Sequence, residues 1–401
     1  NYKTSEPYFG ANPSQWNQVE YDIYGRIIRS NSFTNKVTTI SYAGLATTVT
    51  EDSKSKISVK NAIGKVISLT DNPGGTINYT YFANGNLKES DYGGIKTTFT
   101  QDGWGRKKTL LDPSAGLFEY GYNDFNEITS ERTPNGTTTY KLNSVGRLIQ
   151  KTIVGNNTNT ITDYNYDTTK LLSNSVFKDL NEGGSSITNG FIYDASKRVI
   201  KSTETTPYAI FTKDYSYDTF GRVDKETSTA TIVGKISAKP VKVKNTYKNG
   251  THWQILDDAT TQPLWQTNSI NARGQLLTAS MSNGNIAIIN AYDNYGFTTQ
   301  TKQDRVITNP GNVITLSTVF DTQKGNLTSR SNSLFGWNER FKYDALDRLT
   351  EYTNVQGQQE TQLYDEKGRI TQNNLGVYDY NKAKPYQNAS ISLTPGVESY
   401  Y

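Results

Sequence analysis

The 401-residue chain contains no cysteine, one histidine and one methionine. With no thiol and a single imidazole, zinc fingers, Cys-His nucleophilic dyads, iron–sulfur clusters and disulfide frameworks are excluded. What remains is carboxylate and oxygen-ligand chemistry. No apolar run approaches the 18 or so residues that span a bilayer as a helix. The start, Asn1-Tyr2-Lys3-Thr4, has neither an initiator Met nor a signal-peptide pattern, so the chain is expected to be an internal piece of something longer.

Charge of one sign is also lacking: 42 Lys+Arg stand against 38 Asp+Glu, a formal net charge of +4. That balance predicts neither a nucleic-acid groove nor a polybasic membrane patch. The hydrophobic set reaches only 34 %, where ordinary globular domains run at about 45–50 % on a comparable set. Such a chain cannot fill thick cores. Yet 12 % aromatic residues, with 28 tyrosines, are too many for a disordered segment. The composition therefore points to extended sheet structure with much of its surface wet.

What the chain has in quantity is a repeat. Tyr21-Asp22-Ile23-Tyr24-Gly25-Arg26-Ile27 recurs as Tyr217-Asp218-Thr219-Phe220-Gly221-Arg222-Val223 and as Tyr364-Asp365-Glu366-Lys367-Gly368-Arg369-Ile370. Near copies are Tyr193-Asp194-Ala195-Ser196-Lys197-Arg198-Val199 and Tyr343-Asp344-Ala345-Leu346-Asp347-Arg348-Leu349. Weaker ones keep the Gly and the aliphatic residue, as at Tyr81–Leu87, Leu142–Leu148 and Ile270–Leu276. Early anchors step by about 18 to 21 residues and later ones by about 24 to 27, the range of a stacked repeat. The interval from 217 to 270 holds either a missing copy or one degenerate copy near Tyr247. The expected organisation is one array over 1–401: a leading segment 1–20, stretched or degenerate repeats over 224–269, and a repeat over 371–401 that continues beyond the chain.

Each unit has the physical content of a hairpin. A short polar residue and a Gly lie between two strand-like runs, and Gly accepts the positive φ that a tight turn demands. The second turn of the unit is rich in Pro, Gly and Asn, as in Asp112-Pro113-Ser114-Ala115-Gly116 and Thr133-Pro134-Asn135-Gly136. Between turns the sequence alternates with a period of two, as in Thr76-Ile77-Asn78-Tyr79-Thr80-Tyr81. The alternation sets aromatic or aliphatic residues against Thr, Ser, Asn and Lys. That suits a single-layer sheet better than a two-layer sandwich with a dry centre.

There is no Gly-x-Ser-x-Gly elbow, phosphate loop, dinucleotide fingerprint or EF-hand spacing. His252 lacks a second imidazole and is expected to be structural. Asp218-Thr219 and Asp321-Thr322 resemble an aspartic-protease Asp-Thr-Gly only in part, since Phe220 and Gln323 replace the Gly. Asp257-Asp258 and Asp163 with Asp167 are carboxylate pairs short of the six to eight oxygens that calcium requires. Trp104, Trp253, Trp265 and Trp337 are read as wall packing ahead of sugar-stacking platforms. No cofactor or metal site is expected.

These residues resemble the RHS/YD-repeat family, which includes bacterial polymorphic toxins, wall-associated contact-competition proteins, the BC component of Tc toxins and, distantly, the animal teneurins. The likeness covers nearly the whole chain and rests on the five good copies of Tyr-Asp-x-x-[Gly/Lys/Asp]-Arg-[Ile/Val/Leu]. It implies an all-β fold, a YD-repeat ribbon of β-hairpins spiralling into a hollow single-layer shell, of which this chain would form part. It also implies a function: the wall of a secreted toxin's shell, sequestering a C-terminal effector until delivery. Asp112-Pro113 is similar to a cleavage hallmark of the family but lies early, inside an ordinary repeat, and is read as a turn.

A strand residue covers roughly 3.3 Å by 4.8 Å of sheet. A wall of this length closed into a sphere would hold fewer than about a hundred residues, which also favours part of a shell. The repeat anchors are Tyr21, Asp22, Gly25, Arg26, Tyr193, Asp194, Arg198, Tyr217, Asp218, Gly221, Arg222, Tyr343, Asp344, Arg348, Tyr364, Asp365, Gly368 and Arg369. In them Asp is assigned to turn capping, Gly to backbone geometry, and Arg to pairing with a neighbouring repeat's carboxylate or carbonyls. The segment is expected to be non-enzymatic and extracellular, secreted or at the bacterial cell surface. Its expected partners are the rest of its own polypeptide (further repeats, plug and effector), with secretion machinery or surface glycans as further candidates. Neither nucleic acid nor a membrane span is expected. The alternative reading is a surface adhesin or glycan-binding repeat protein.

Overall fold

The computed structural model describes residues 2–6, 8, 13–181, 183–354 and 356–393. The extremes of the expected leading segment and of the last repeat, residues 394–401 among them, lie outside the described residues. The described chain is all strand and turn, with 36 strands and no helix. Strands pair antiparallel with their neighbours in sequence, from Tyr2–Ser5 on Trp16–Tyr21 at one end to Gly376–Tyr380 on Asn388–Leu393 at the other, except Gln359–Thr361 with Leu363–Tyr364. The first 32 strands form one sheet and the last four a second. Only Gln362 separates them, and its N–H donates to the Thr350 carbonyl at 2.7 Å, so the ribbon runs on.

In such a meander alternate turns lie on opposite edges. The Tyr-Asp turns all connect strands in the same sense, which puts them on one edge, the motif edge. The Pro/Gly/Asn-rich turns line the other. There, Asp112 accepts the N–H groups of Ser114 and Ala115 at 2.8 and 2.7 Å, so Asp112-Pro113 opens a hairpin turn. Gly136, in the next such turn, has φ +148°, and a Cβ there would run into the Val154 carbonyl.

The ladder carries a regular defect. At the first residue of repeat after repeat the register shifts: between Glu20 and Tyr21, Thr80 and Tyr81, Ile192 and Tyr193, Ser216 and Tyr217, Lys342 and Tyr343, and Leu363 and Tyr364. A β-bulge bends its strand and increases local twist. Bulges repeated along one edge account for a ribbon that curves steadily.

The curvature brings the ribbon back onto itself. Phe33, on the opposite edge, packs its ring 6.3 Å from that of Tyr295 on the motif edge. Further along, the Tyr92 hydroxyl donates to the Glu366 carbonyl at 2.6 Å, and the Tyr386 N–H donates to Ser114 Oγ at 3.0 Å. These last two contacts span 274 and 272 residues. One turn of the spiral therefore takes roughly two dozen strands, a circumference of about 115 Å at ~4.8 Å per strand. The core is correspondingly thin. Among the described residues only Ile95, Ala209, Ala279, Ile288, Thr160, Thr267, Thr353 and Gly376 are buried, and no large side chain is fully so. The wall is a single layer.

Candidate functional site

Two features distinguish this wall: the linkage between repeats along the motif edge, and the seam where successive turns of the spiral meet.

The linkage begins in the turn. The Asp22 N–H donates to the Arg26 carbonyl at 2.9 Å and the Gly25 N–H to the Asp22 carbonyl at 3.1 Å, with Gly25 at φ +75°. This is a tight loop closed by a left-handed residue. One carboxylate oxygen of Asp22 accepts the N–H groups of Tyr24 and Arg26 at 2.9 Å each, and the other takes Arg26 Nε at 2.7 Å. Asp194, Asp218, Asp344 and Asp365 hold Arg198, Arg222, Arg348 and Arg369 in the same way. Where Asn143 or Asn271 replaces Asp, the amide oxygen still takes the two backbone N–H groups.

The carboxyls of Asp22, Asp218, Asp344 and Asp365 sit below the usual carboxylate range. Desolvation pushes them up, and the backbone N–H and guanidinium of the following Arg outweigh it. At Asp194 the Arg198 N–H and guanidinium are the larger influences, and the direction is the same.

The Arg expectation needs correction in one respect. Its carboxylate partner is its own repeat's Asp, four residues back, because the tight turn brings the two side chains together. The neighbouring repeat offers a carbonyl in some copies, as where Arg369 Nη1 donates to the Pro385 carbonyl at 2.7 Å. It also offers an aromatic face. The guanidiniums of Arg26, Arg198, Arg222 and Arg348 lie 4.2, 4.3, 4.2 and 4.5 Å from the ring centroids of Tyr42, Tyr217, Tyr247 and Tyr364 in the next repeat.

The leading tyrosine of a repeat also reaches back. Tyr42 donates to the Ile27 carbonyl at 2.9 Å, Tyr193 to Leu172 at 2.9 Å, Tyr217 to Val199 at 2.6 Å, Tyr343 to Leu327 at 2.8 Å and Tyr364 to Leu349 at 2.9 Å. The accepting residue is the one that pairs with the preceding repeat's bulge aromatic, Tyr or, before Leu327, Phe320, where the ladder is locally disrupted. Tyr247 makes the same bond to Val223 at 2.9 Å, so a degenerate copy occupies the interval from 217 to 270.

The seam joins unlike edges. Arg273 lies 5.1 Å from the Phe33 ring and donates to Gln15, whose own amide donates to the Asn294 carbonyl. Lys54 pairs with Asp347, which also accepts from Asn326 at 3.0 Å and lies 3.8 Å from Lys324. A cleft of about 370 Å³ beside this pair is lined by Val49, Lys56, Pro73 and Leu346 among others. Desolvation pushes the Asp347 carboxyl up, but Lys54, Asn326 and Lys324 together hold it below the usual range. Asp347 stands where other repeats place Gly and has φ +61°, a conformation Asp tolerates better than most residues.

The remaining candidates are dispersed. His252 bonds Asn245 at 2.9 Å and its ring lies 5.4 Å from Tyr247. Asp257 caps the N–H groups of Ala259 and Thr260, while Asp258 pairs with Lys225 at 2.8 Å. Asp163 accepts from Gln150, Asp167 from the Leu171 N–H, and Asp321 from the Gln323 and Lys324 N–H groups. Among the described residues no three potential metal ligands cluster. Trp337 stacks on Phe335 at 4.8 Å, Trp253 lies under Lys248, and Trp265 sits opposite Met281 across the ladder. Trp104 is exposed.

Sequence reasoning did not find the bulge or the seam residues Phe33, Lys54, Tyr92, Ser114 and Tyr386. Large apolar residues stand just before the turn Gly at Tyr24, Trp104, Phe220 and Tyr295, but of these only Tyr295 lies in the seam, so the pattern does not locate it.

A family profile for the RHS repeat matches residues 343–373, which hold the Tyr343-Asp344 and Tyr364-Asp365 copies. That stretch is an RHS repeat. The chain's fold is that of larger solved structures. It resembles the Photorhabdus luminescens Tc holotoxin pore (TccC3-D651A) at 14 % identity and a TM-score of 0.56, over 93 % of this chain and 22 % of that one. It resembles the TcdB2-TccC3-Cdc42 structure at 14 % identity and a TM-score of 0.60, over 90 % of this chain and 22 % of that one. A third is TcdB2-TccC3 without its hypervariable C-terminal region, at 14 % identity and a TM-score of 0.59, over 89 % and 21 %. The chain thus spans about a fifth of the length of the structures it matches. No curated protein matches it in sequence.

Proposed function

We propose that this RHS/YD array is a non-enzymatic wall segment of a secreted or surface-delivered bacterial toxin, and that the shell it helps to build sequesters a C-terminal effector until delivery. The observation that carries the reading is a single-layer ribbon that bends steadily and meets itself edge to edge after about two dozen strands. A wall without a core of its own makes physical sense around an enclosed space. The likeness of fold to the TcdB2-TccC3 structures supports it. So does the chemistry of the motif: its carboxylates and guanidiniums satisfy one another within the turn, which suits a structural part.

Confinement would keep the exposed apolar surface of an unfolded cargo from aggregating and would protect the producing cell. A wall rich in Thr, Ser and Tyr would tolerate such cargo without gripping it. The test is made on the protein from the complete reading frame. The segment following the repeats resists protease while the shell is intact and is digested once the shell is breached. Digestion at the rate of the same segment expressed alone would rule the reading out.

A further inference from the structure

The ladder and the seam hold the wall together by different means. Within the ribbon each strand is tied to the next by a run of backbone pairs, nine of them between Ala209–Tyr217 and Val223–Ile232. Across the seam, among the described residues, no strand pairs with a strand of the other spiral turn and no backbone–backbone hydrogen bond forms. What crosses it is side chains at hairpin tips: Phe33 on Tyr295, Lys54 on Asp347, Tyr92 on Glu366 and Ser114 on Tyr386 among them. The packing there is also incomplete. Two clefts of about 370 and 350 Å³ both reach Leu346, voids that a close-packed protein interior does not leave.

One of these contacts has a seat built for it. The ring of half-buried Tyr92 passes so close over Gly75 that a Cβ at that position would run into Cε2, Cζ and the hydroxyl. Gly75 does not sit at a positive φ, so this position uses the missing side chain and not the backbone freedom of glycine. From that slot the Tyr92 hydroxyl donates to the Glu366 carbonyl at 2.6 Å. The next residue, Gly93, comes beside the Lys367 side chain. Glu366 and Lys367 are the tip of the Tyr364–Ile370 turn, so one hairpin tip of the first spiral turn grips one motif tip of the second.

We propose that the seam is the line along which this wall opens: the spiral turns part there while the ribbon stays intact, and Tyr92 in its Gly75 slot is the latch. Opening the ribbon between two strands breaks a whole run of backbone pairs at once. Opening the seam at one tip gives up one or two side-chain contacts, and water takes the place of each lost partner at these exposed tips. Local openings draw on the least stable part of a fold, where buried apolar contacts are few. The seam is an internal line of the wall, with ribbon on both sides of it, and the inference does not depend on what the wall encloses.

The chain has no cysteine, so two introduced ones carry spin labels without competition. The test measures label-to-label distances by pulsed electron paramagnetic resonance in the protein from the complete reading frame. Ser53→Cys with Ala345→Cys spans the seam. Ser53→Cys with Ala115→Cys lies along one edge of the first spiral turn, three hairpin tips apart, roughly 30 Å. All three positions are exposed. The seam pair is expected to give a short and a long population, and the ribbon pair a single narrow one. Tyr92→Phe removes the hydrogen bond of the latch, and Gly75→Ala fills the slot and displaces the ring. Each is expected to raise the ratio of long to short population at least about threefold, with the ribbon pair and the circular dichroism unchanged.

A seam pair as narrow as the ribbon pair, in the wild type and in both variants, overturns the proposal. Broadening of both pairs together also overturns it, since the ribbon itself then yields. A two-population seam pair that neither variant shifts overturns Tyr92 as the latch.

Discussion

Tyr295 and Trp104 hold the same place in their repeats, two residues after the turn's Asp and one before its Gly. Their hairpins are built alike, with Asp293 and Asp102 each accepting the backbone N–H of that aromatic residue. Yet Tyr295 is half-buried against Phe33, while Trp104 stands in solvent. The difference lies wholly in what the spiral brings opposite them, a residue some 260 positions away in one case and no described residue in the other. Repeat stability should therefore separate into two terms, one within and between neighbouring repeats and one across the seam.

The largest effect should come from the first term. Asp344→Ala leaves the Leu346 and Arg348 N–H groups and the Arg348 guanidinium without their acceptor. A loss of about 2–3 kcal/mol is expected, measured by urea unfolding. A loss below about 0.5 kcal/mol would mean that solvent replaces the carboxylate and that the linkage is decorative.

The next contrast probes the seam. Tyr295→Ala removes an aromatic contact worth about 0.5–1.5 kcal/mol beyond the area it covers. The same substitution at Trp104 should stay within about 0.5 kcal/mol. Hydrogen exchange near Phe33 should rise in the first variant only. Equal effects at the two sites would erase the distinction between them.

The smallest effect is electrostatic. The folded-state value of Asp347 lies below its unfolded one. Its contribution is therefore fully present above about pH 4 and is lost as pH falls through the folded value. The pair with Lys54 is partly exposed, so about 0.5 kcal/mol is expected. Asp347→Asn should flatten acid-dependent exchange around Lys54, and an unchanged pH profile would take the pair out of the seam's energetics.

Much of this was legible in the residues. The period of two, the Asp and Gly three positions apart in Tyr21–Ile27, and the Thr133-Pro134-Asn135-Gly136 turn all act over fewer than ten residues, and local rules govern them. The resemblance carried by the Tyr-Asp copies supplied the spiral. The bulge at Tyr21 was not legible, because register is a relation between strands and the alternation of one strand is silent about it. The same limit explains the arginines. Arg26 has an Asp four residues before it and another repeat's groups ahead of it, and only the turn geometry decides which carboxylate it holds.

The sequence by itself determined that this chain is all-β, repetitive, thin-cored and without thiols, since composition and short-range periodicity act through neighbours. Only the tertiary structure decided which edge residues are covered. Curvature accumulates bulge by bulge over some two dozen strands. Small bends of that kind add up to a seam between Lys54 and Asp347, residues whose local sequences carry no trace of one another.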